Sequence, residues 1–407
     1  MSNRVSASLP ARLLRGVYRV LTYSPLATWR EQRTLVRTLR DWSGEHLFLF
    51  PYFGIGGAER VHADIVATVK DKAPLVIIHG FSGSDANRSA FERSAITIEL
   101  PHLLNHPITR GWARTRIAAV LNERDNAVLF ASLSSTFFDL LPALHARVKC
   151  TYLQHAFLFQ PSGNAQHKAW LHLFPRLHAM LFVSRHALGE YRRFLSANGI
   201  SPEEQGKLGF ISNAVDRFVE PLLRKGRVGV LFVGRDSSEK RPELFLRICE
   251  QLHAAAPDGF RFTTVGINAR SNSAGIRSTG PVSDPSVLSA LYSSHDILVL
   301  TSDREGFPMV IMEAMAHGLA IVSTPVGDVP NRLDSGYCCI ISSTDPSIVV
   351  NEMTDFLLTM QADPERLWAM RQAAFARAKV VFEPGAFHRH YRELLTSPAA
   401  STSAINR

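Results

Sequence analysis

The sequence predicts an α/β protein built from two doubly wound parallel-sheet domains. Short apolar runs recur along the chain, separated by helical patterns, as strands buried on both faces should be. The series stops over residues 217–227, FVEPLLRKGRV, and restarts at Val228. The chain's 407 residues suit two or three domains, and 46% hydrophobic against 20% charged residues supplies an ample core.

Residues 1–44 read as a basic, amphipathic helical arm. On a helix from Pro10, Arg12, Arg15 and Arg19 share one face, while Leu13, Leu14, Val17 and Leu21 lean to another. Ser24-Pro25 interrupts. A second pattern aligns Arg30, Arg33, Arg37 and Arg40, with Leu35, Val36, Leu39 and Trp42 as apolar partners. Such an arm either lies on an anionic membrane surface or packs on the body with its arginines solvated, and packing is the preferred reading. The net charge of +9 favours anionic partners: nucleotide diphosphates, acidic lipids or phosphorylated acceptors. No nucleic-acid module is recognisable, so nucleic acid is not an expected partner. No apolar run approaches a membrane span of about 20 residues. Arg12, Arg15 and Arg19 interrupt any secretory h-region, and a cytoplasmic protein is expected.

The first domain is expected over residues 45–216. Strand Leu47–Phe50 runs into Pro51-Tyr-Phe-Gly-Ile-Gly-Gly-Ala-Glu59-Arg60, and a helix follows to about Val69. Strand, glycine-rich turn and helix make a phosphate cradle. Against G-x-G-x-x-G, Gly54 and Gly56 match, but Glu59 stands at the third glycine. His79-Gly80, rather than a ribose-binding acid, follows strand Leu75–Ile78, so NAD is excluded. Further strands are expected at Val128–Phe130, Val148–Leu153, Met180–Val183 and Leu208–Ile211. His155, in Gln154-His155-Ala156, ends one of them, where ligand sites of such sheets lie. A structural role for it is as open as a binding one.

The second domain is expected over 228–380, with strands at Val228–Val233, Phe262–Val265, Ile297–Leu300, Leu319–Val322 and Cys338–Ile341. Its centre is LVLTSDREGFPMVIMEAMAHGLAIVSTPVGDVP, Leu298 to Pro330. Pro308 stands where a helix takes proline first, strong helix formers continue to His317, and Gly318 supplies the stop. The helix is apolar almost all round, with Glu313 as its only formal charge. A buried carboxylate costs several kcal/mol unless partnered. Glu305 precedes it with seven residues between. Free amides near Gly306, Phe307 and Met309 suit phosphate or sugar oxygens. The plain alternative is that Glu313 pairs internally and Glu305 is a solvated loop acid. Residues 345–379 read as two helices and 381–396 as a last one, with a small polar tail, 397–407, expected to be disordered. Cys150, Cys249, Cys338 and Cys339 show no metal-ligand spacing and read as reduced core thiols. There is no D-x-D, and no metal is expected.

E-G-F-P, then E-A-M-A-x-G, an apolar strand and T-P-V-G together resemble the donor-binding signature of the large family of retaining GT-B glycosyltransferases (family 4-like, group 1), which pairs two glutamates as E-x7-E. Other segments are similar to it. Gly56-Gly57 matches its N-domain glycine loop. Ile211-Ser-Asn213-Ala-Val-Asp216 resembles its I-P-N-G-V-D. Arg235 and Lys240 match the basic pair of V-G-R…K, and Phe182-Val-Ser resembles its V-S pattern. His155 falls where the family has H-D or H-G, with Ala156 as a departure. The resemblance implies two Rossmann-like domains facing a cleft, with the last helix crossing back to the first. It implies transfer of a sugar, with retention, from a nucleotide diphosphate sugar to a carbohydrate or lipid-linked acceptor. Glu305 and the Gly306-Phe307-Pro308-Met309 loop would hold the sugar, Glu313 the ribose, and Arg235 and Lys240 the diphosphate. Gly56, Gly57, Asn213 and His155 would stand close to the donor. No cofactor beyond the sugar nucleotide as co-substrate is implied. Cell-envelope polysaccharide or lipid-linked glycan synthesis is the expected setting, at the inner face of the membrane if residues 1–44 bind there. The rivals are a catalytically silent GT-B scaffold subunit and a GT-B phosphorylase or epimerase.

Overall fold

The computed structural model describes residues 24–267 and 275–397. The first helical pattern, from Pro10 to Leu21, and the tail from residue 398 lie outside the described residues.

Seven parallel strands form the first sheet: β1 (His46–Phe50), β2 (Leu75–Ile78), β3 (Ile96–Glu99), β4 (Val128–Ser132), β5 (Lys149–Gln154), β6 (Ala179–Phe182) and β7 (Leu208–Phe210), in the order β3-β2-β1-β4-β5-β6-β7. Every residue of β1 is buried, because helices cover both faces of the sheet. Phe48 stands level with Val76 on one side and Phe130 on the other. The second sheet has six parallel strands: β8 (Val228–Val233), β9 (Phe260–Val265), β10 (Arg277–Ser278), β11 (Ile297–Leu300), β12 (Ala320–Ser323) and β13 (Cys338–Ile340), in the order β10-β9-β8-β11-β12-β13. Both sheets reverse their winding, between β1 and β4 and between β8 and β11. Crevices open at such switch points, so the loops after β1, β8 and β11 are placed to hold a ligand.

Sequence reading did not find β3 or β10. Both are edge strands, one carrying exposed residues and the other only two residues long, so neither shows a continuous apolar run. Cys338 is buried and Cys339 half-buried, and all four cysteines are free.

Helix Pro25–Asp41, capped by Ser24, belongs to the first domain's core. Leu35, Leu39 and Trp42 are buried with Leu100, Leu103 and Ile117. Val36, expected as an apolar partner, faces solvent instead. The Glu31 carboxylate accepts from the amides of His102 and Leu103 at 3.2 and 2.7 Å. Burial pushes its pKa up to about 7.

After Pro346–Ala362 and Pro364–Val381 cover the second sheet, helix Pro384–Thr396 returns to the first. There Phe387, Tyr391, Leu394 and Leu395 pack with Phe48, Phe50 and Phe130. The outgoing and returning segments touch where the Val215 amide donates to the Phe382 carbonyl at 3.0 Å. Among the described residues no helix is long and apolar enough to cross a membrane.

Candidate active site

The loop after β11 and its helix form the centre of the site. The helix spans Met309–Ala316, with Pro308 as the residue just before it rather than its first member. It ends one residue earlier than expected, at a Gly318 with φ +65°. A Cβ there would lie 2.4 Å from Pro221 of the interdomain segment, so the glycine also permits close approach.

Glu305 is not a solvated loop acid. Its Oε1 lies 2.5 Å from Lys240 Nζ and receives the Ser302 hydroxyl at 2.7 Å. The loops after β8 and β11 are thereby joined by a charge-assisted bond. Arg235, expected beside Lys240, stands apart. Its side chain is 74% exposed and its guanidinium donates to Glu239 at 3.2 Å.

Glu313 is largely buried, with its side chain 12% exposed, and is satisfied from two directions. Arg60 Nη1 donates to Oε1 at 2.7 Å, and the Tyr292 hydroxyl donates to Oε2 at 2.9 Å. Burial raises the Glu313 pKa, and the Arg60 charge and the Tyr292 bond pull it back. Arg60 belongs to the first domain, on helix Gly57–Ala67, and lies 3.9 Å from Asp216 as well. On the same helix Asp64 is pushed up to about 7 by burial, with Asp216 adding to the rise. Arg60 follows the glycine turn in the sequence, where nothing marks its partner. Tyr292, at the end of helix Pro285–Ser293, carried no signal.

Two glycines bring the domains into contact. A Cβ on Gly57 would lie 2.7 Å from Met309 Cγ, and one on Gly306 would lie 2.6 Å from the His155 carbonyl oxygen. A larger side chain would force Met309 to move at the first position and the His155 backbone to move at the second. The preceding Gly56 is extended and caps the helix with its backbone alone. His155 Nε2 lies 2.9 Å from His62 Nε2, a partner that sequence reading missed. Asn213 is buried, and its Oδ1 has no partner. Phe307 is buried beneath the Arg332 guanidinium, which lies 4.0 Å from its ring.

Asp328 ties the loop down from behind. It is fully buried. Its carboxylate accepts from the amides of Arg185 and His186 at 2.6 and 2.8 Å, at the start of helix Arg185–Ala197 in the first domain. Its own amide donates to the Gly306 carbonyl at 2.8 Å. The motif residues Glu305, Gly306, Met309, Glu313, Lys240, Gly57 and His155 thus meet along one seam, with Arg60, Tyr292, His62 and Asp328 as unpredicted members. Among the described residues, no three His, Cys, Asp or Glu side chains are grouped as a metal site.

Two Rossmann-like sheets facing each other, with the last helix returned to the first, define a GT-B fold. Residues 227–359, within the second domain, match the family model of the glycosyl transferases group 1. A D-inositol 3-phosphate glycosyltransferase of Segniliparus rotundus is 30% identical over 164 residues, covering 37% of this chain and 35% of its own. An N-acetyl-alpha-D-glucosaminyl L-malate synthase of Bacillus anthracis is 37% identical over 57 residues, 13% of this chain and 15% of its own. The match thus spans about a third or less of these curated relatives. The crystal structure of Anabaena HepE in complex with UDP and glucose superposes with a TM-score of 0.67 at 18% identity, over 87% of this chain and 100% of that one. That likeness shows the fold.

Proposed function

We propose that the chain transfers a sugar from a nucleotide diphosphate sugar to an acceptor hydroxyl, with retention at the anomeric carbon. The observation that carries this reading is the Glu305–Lys240 contact at the head of the donor loop, with Glu313 one helix turn and a half behind it. Glu305 and the amides of Gly306, Phe307 and Met309 hold the sugar, and Glu313 receives the ribose hydroxyls. Lys240 neutralises charge that grows on the leaving diphosphate, a role a partly buried cation performs well. Arg235, exposed on the same loop, reaches the same diphosphate by leaving Glu239. Neither a metal nor a further cofactor takes part. HepE was solved with UDP and glucose, so UDP-glucose is the first donor to test.

The acceptor in this reading is a carbohydrate or lipid-linked glycan of the cell envelope. Leu26, Trp29 and Val36 are exposed on helix Pro25–Asp41, among Arg30, Arg33 and Arg37. A peripheral contact with an anionic bilayer through that face would keep the seam near a lipid-linked acceptor. The decisive experiment is a thermal-shift screen against nucleotide sugars, then product analysis with the donor that binds. A ligand at 100 times its Kd stabilises by about 2.7 kcal/mol. Absence of a shift with every sugar nucleotide would favour the silent scaffold. Release of sugar phosphate from glycan and phosphate would favour a phosphorylase.

A further inference from the structure

Behind His155 stands a second histidine. His62, on helix Gly57–Ala67, is fully buried and stacked on Phe50, with ring centroids 4.3 Å apart and planes at 8°. Its Nε2 lies 2.9 Å from that of His155. Two imidazole nitrogens at this distance share one proton, so one ring donates and the other accepts. Burial keeps both rings neutral near pH 7: it pushes His155 down to about 4 and His62 well below its ordinary value.

The remaining nitrogens decide which ring donates. His62 Nδ1 is buried without a partner. Were His155 the donor, that Nδ1 would carry a proton with nothing to receive it. Buried N–H groups without an acceptor are rarer than acceptors without a donor. Donation from His62 Nε2 leaves only a lone pair unmatched. It also places the proton of His155 on Nδ1, while the bond to His62 is the only one its ring makes among the described residues.

We propose that His62 is a positioning residue that holds His155 as its neutral Nδ1–H tautomer, so that His155 presents a hydrogen-bond donor, and not a base, beside the donor loop. The His155 carbonyl lies against Gly306, which brings this residue to the donor loop. An N–H there matches a sugar hydroxyl oxygen. The inference rests on the donor site proposed above, but its main readout does not.

The test is long-range nitrogen–proton NMR on the full chain with 15N-labelled histidine, at pH 7, with His155→Gln used for assignment. The expected spectrum has His155 protonated at Nδ1 and bare at Nε2. In His62→Phe, His155 should lose that single tautomer. In His62→Gln, whose amide can donate to His155 again, it should regain it. With a donor that turns over, His62→Phe should lose about 10-fold in kcat, the scale of one hydrogen bond to the sugar, and His62→Gln should recover most of it. A wild-type His155 protonated on Nε2, or His155 signals unchanged in His62→Phe, would overturn the proposal. If His62→Phe does not fold, the wild-type spectrum alone decides. If no sugar nucleotide turns over, the tautomer is still read, and the failure belongs to the donor assignment.

Discussion

The guanidinium of Arg60 lies 2.7 Å from the carboxylate of Glu313, and the two residues sit in opposite domains. The acid assigned to the ribose is therefore already held from across the seam. Breaking the contact from one side leaves a buried carboxylate with Tyr292 alone. Arg60→Met should cost about 1–3 kcal/mol, below the range for fully buried pairs because Arg60 keeps partial exposure. Tyr292→Phe should cost about 1 kcal/mol. Urea denaturation of both variants checks this, and wild-type stability in Arg60→Met would show that the contact carries nothing.

Glu305→Gln and Glu313→Gln should each lower transfer by roughly 10- to 1,000-fold without unfolding the chain, the scale of one to three lost charge-assisted bonds. Turnover with a responsive donor, beside circular dichroism of each variant, is the measurement. Near-normal rates in both would remove these residues from the site.

Much of this site could be read from sequence because its core is contiguous. Glu305 to Glu313 fall within one loop and helix, and the all-apolar helix made Glu313 conspicuous. Arg60, Tyr292, His62 and Asp328 were missed because each meets the site only after folding. Arg60 lies 253 positions from its partner, and nothing in its own neighbourhood marks that contact. Val36 was misjudged for a related reason: a helix of four aligned arginines leaves two candidate apolar faces, and packing chose the one with Leu35 and Leu39.

Metal dependence gives a third prediction. The chain lacks D-x-D, and Lys240 supplies a cation at the donor loop. Activity should survive EDTA within about twofold, far less than the loss expected where a metal supplies the leaving-group stabilisation. Loss restored by Mn²⁺ or Mg²⁺ would refute metal independence.

Glu31 gives a pH test. Its folded pKa is raised to about 7 from 4.5, chiefly by burial, so the folded chain holds this proton more tightly than the unfolded one. The linked stability is full below about 4.5 and is lost as pH rises through about 7. Glu31→Gln cannot ionise and escapes that loss. Measured against wild type, its relative stability should improve from pH 5 to pH 8. A difference that stays constant would mean that Glu31 titrates normally.

The membrane proposal needs a gentler test than deleting residues 1–44, because Leu35, Leu39 and Trp42 are core residues. Arg30→Gln, Arg33→Gln and Arg37→Gln combined, with or without Trp29→Ala, change only the exposed face. Each arginine near an anionic surface contributes about 1 kcal/mol, screened by salt. The triple variant should therefore sediment with anionic vesicles at least 10-fold less well than wild type. Equal sedimentation, or none by either protein, would refute the contact.

The returning helix Pro384–Thr396 has a consequence for how the chain is made. The first domain is discontinuous in the polypeptide: Phe48, Phe50 and Phe130 wait for Phe387, Tyr391 and Leu394, which are synthesised after the second domain. On the ribosome, the first domain cannot complete its core until the whole second domain has emerged. A fragment stopping at residue 216 would expose the apolar surface that helix covers, and should bind a peptide of residues 382–397 added in trans.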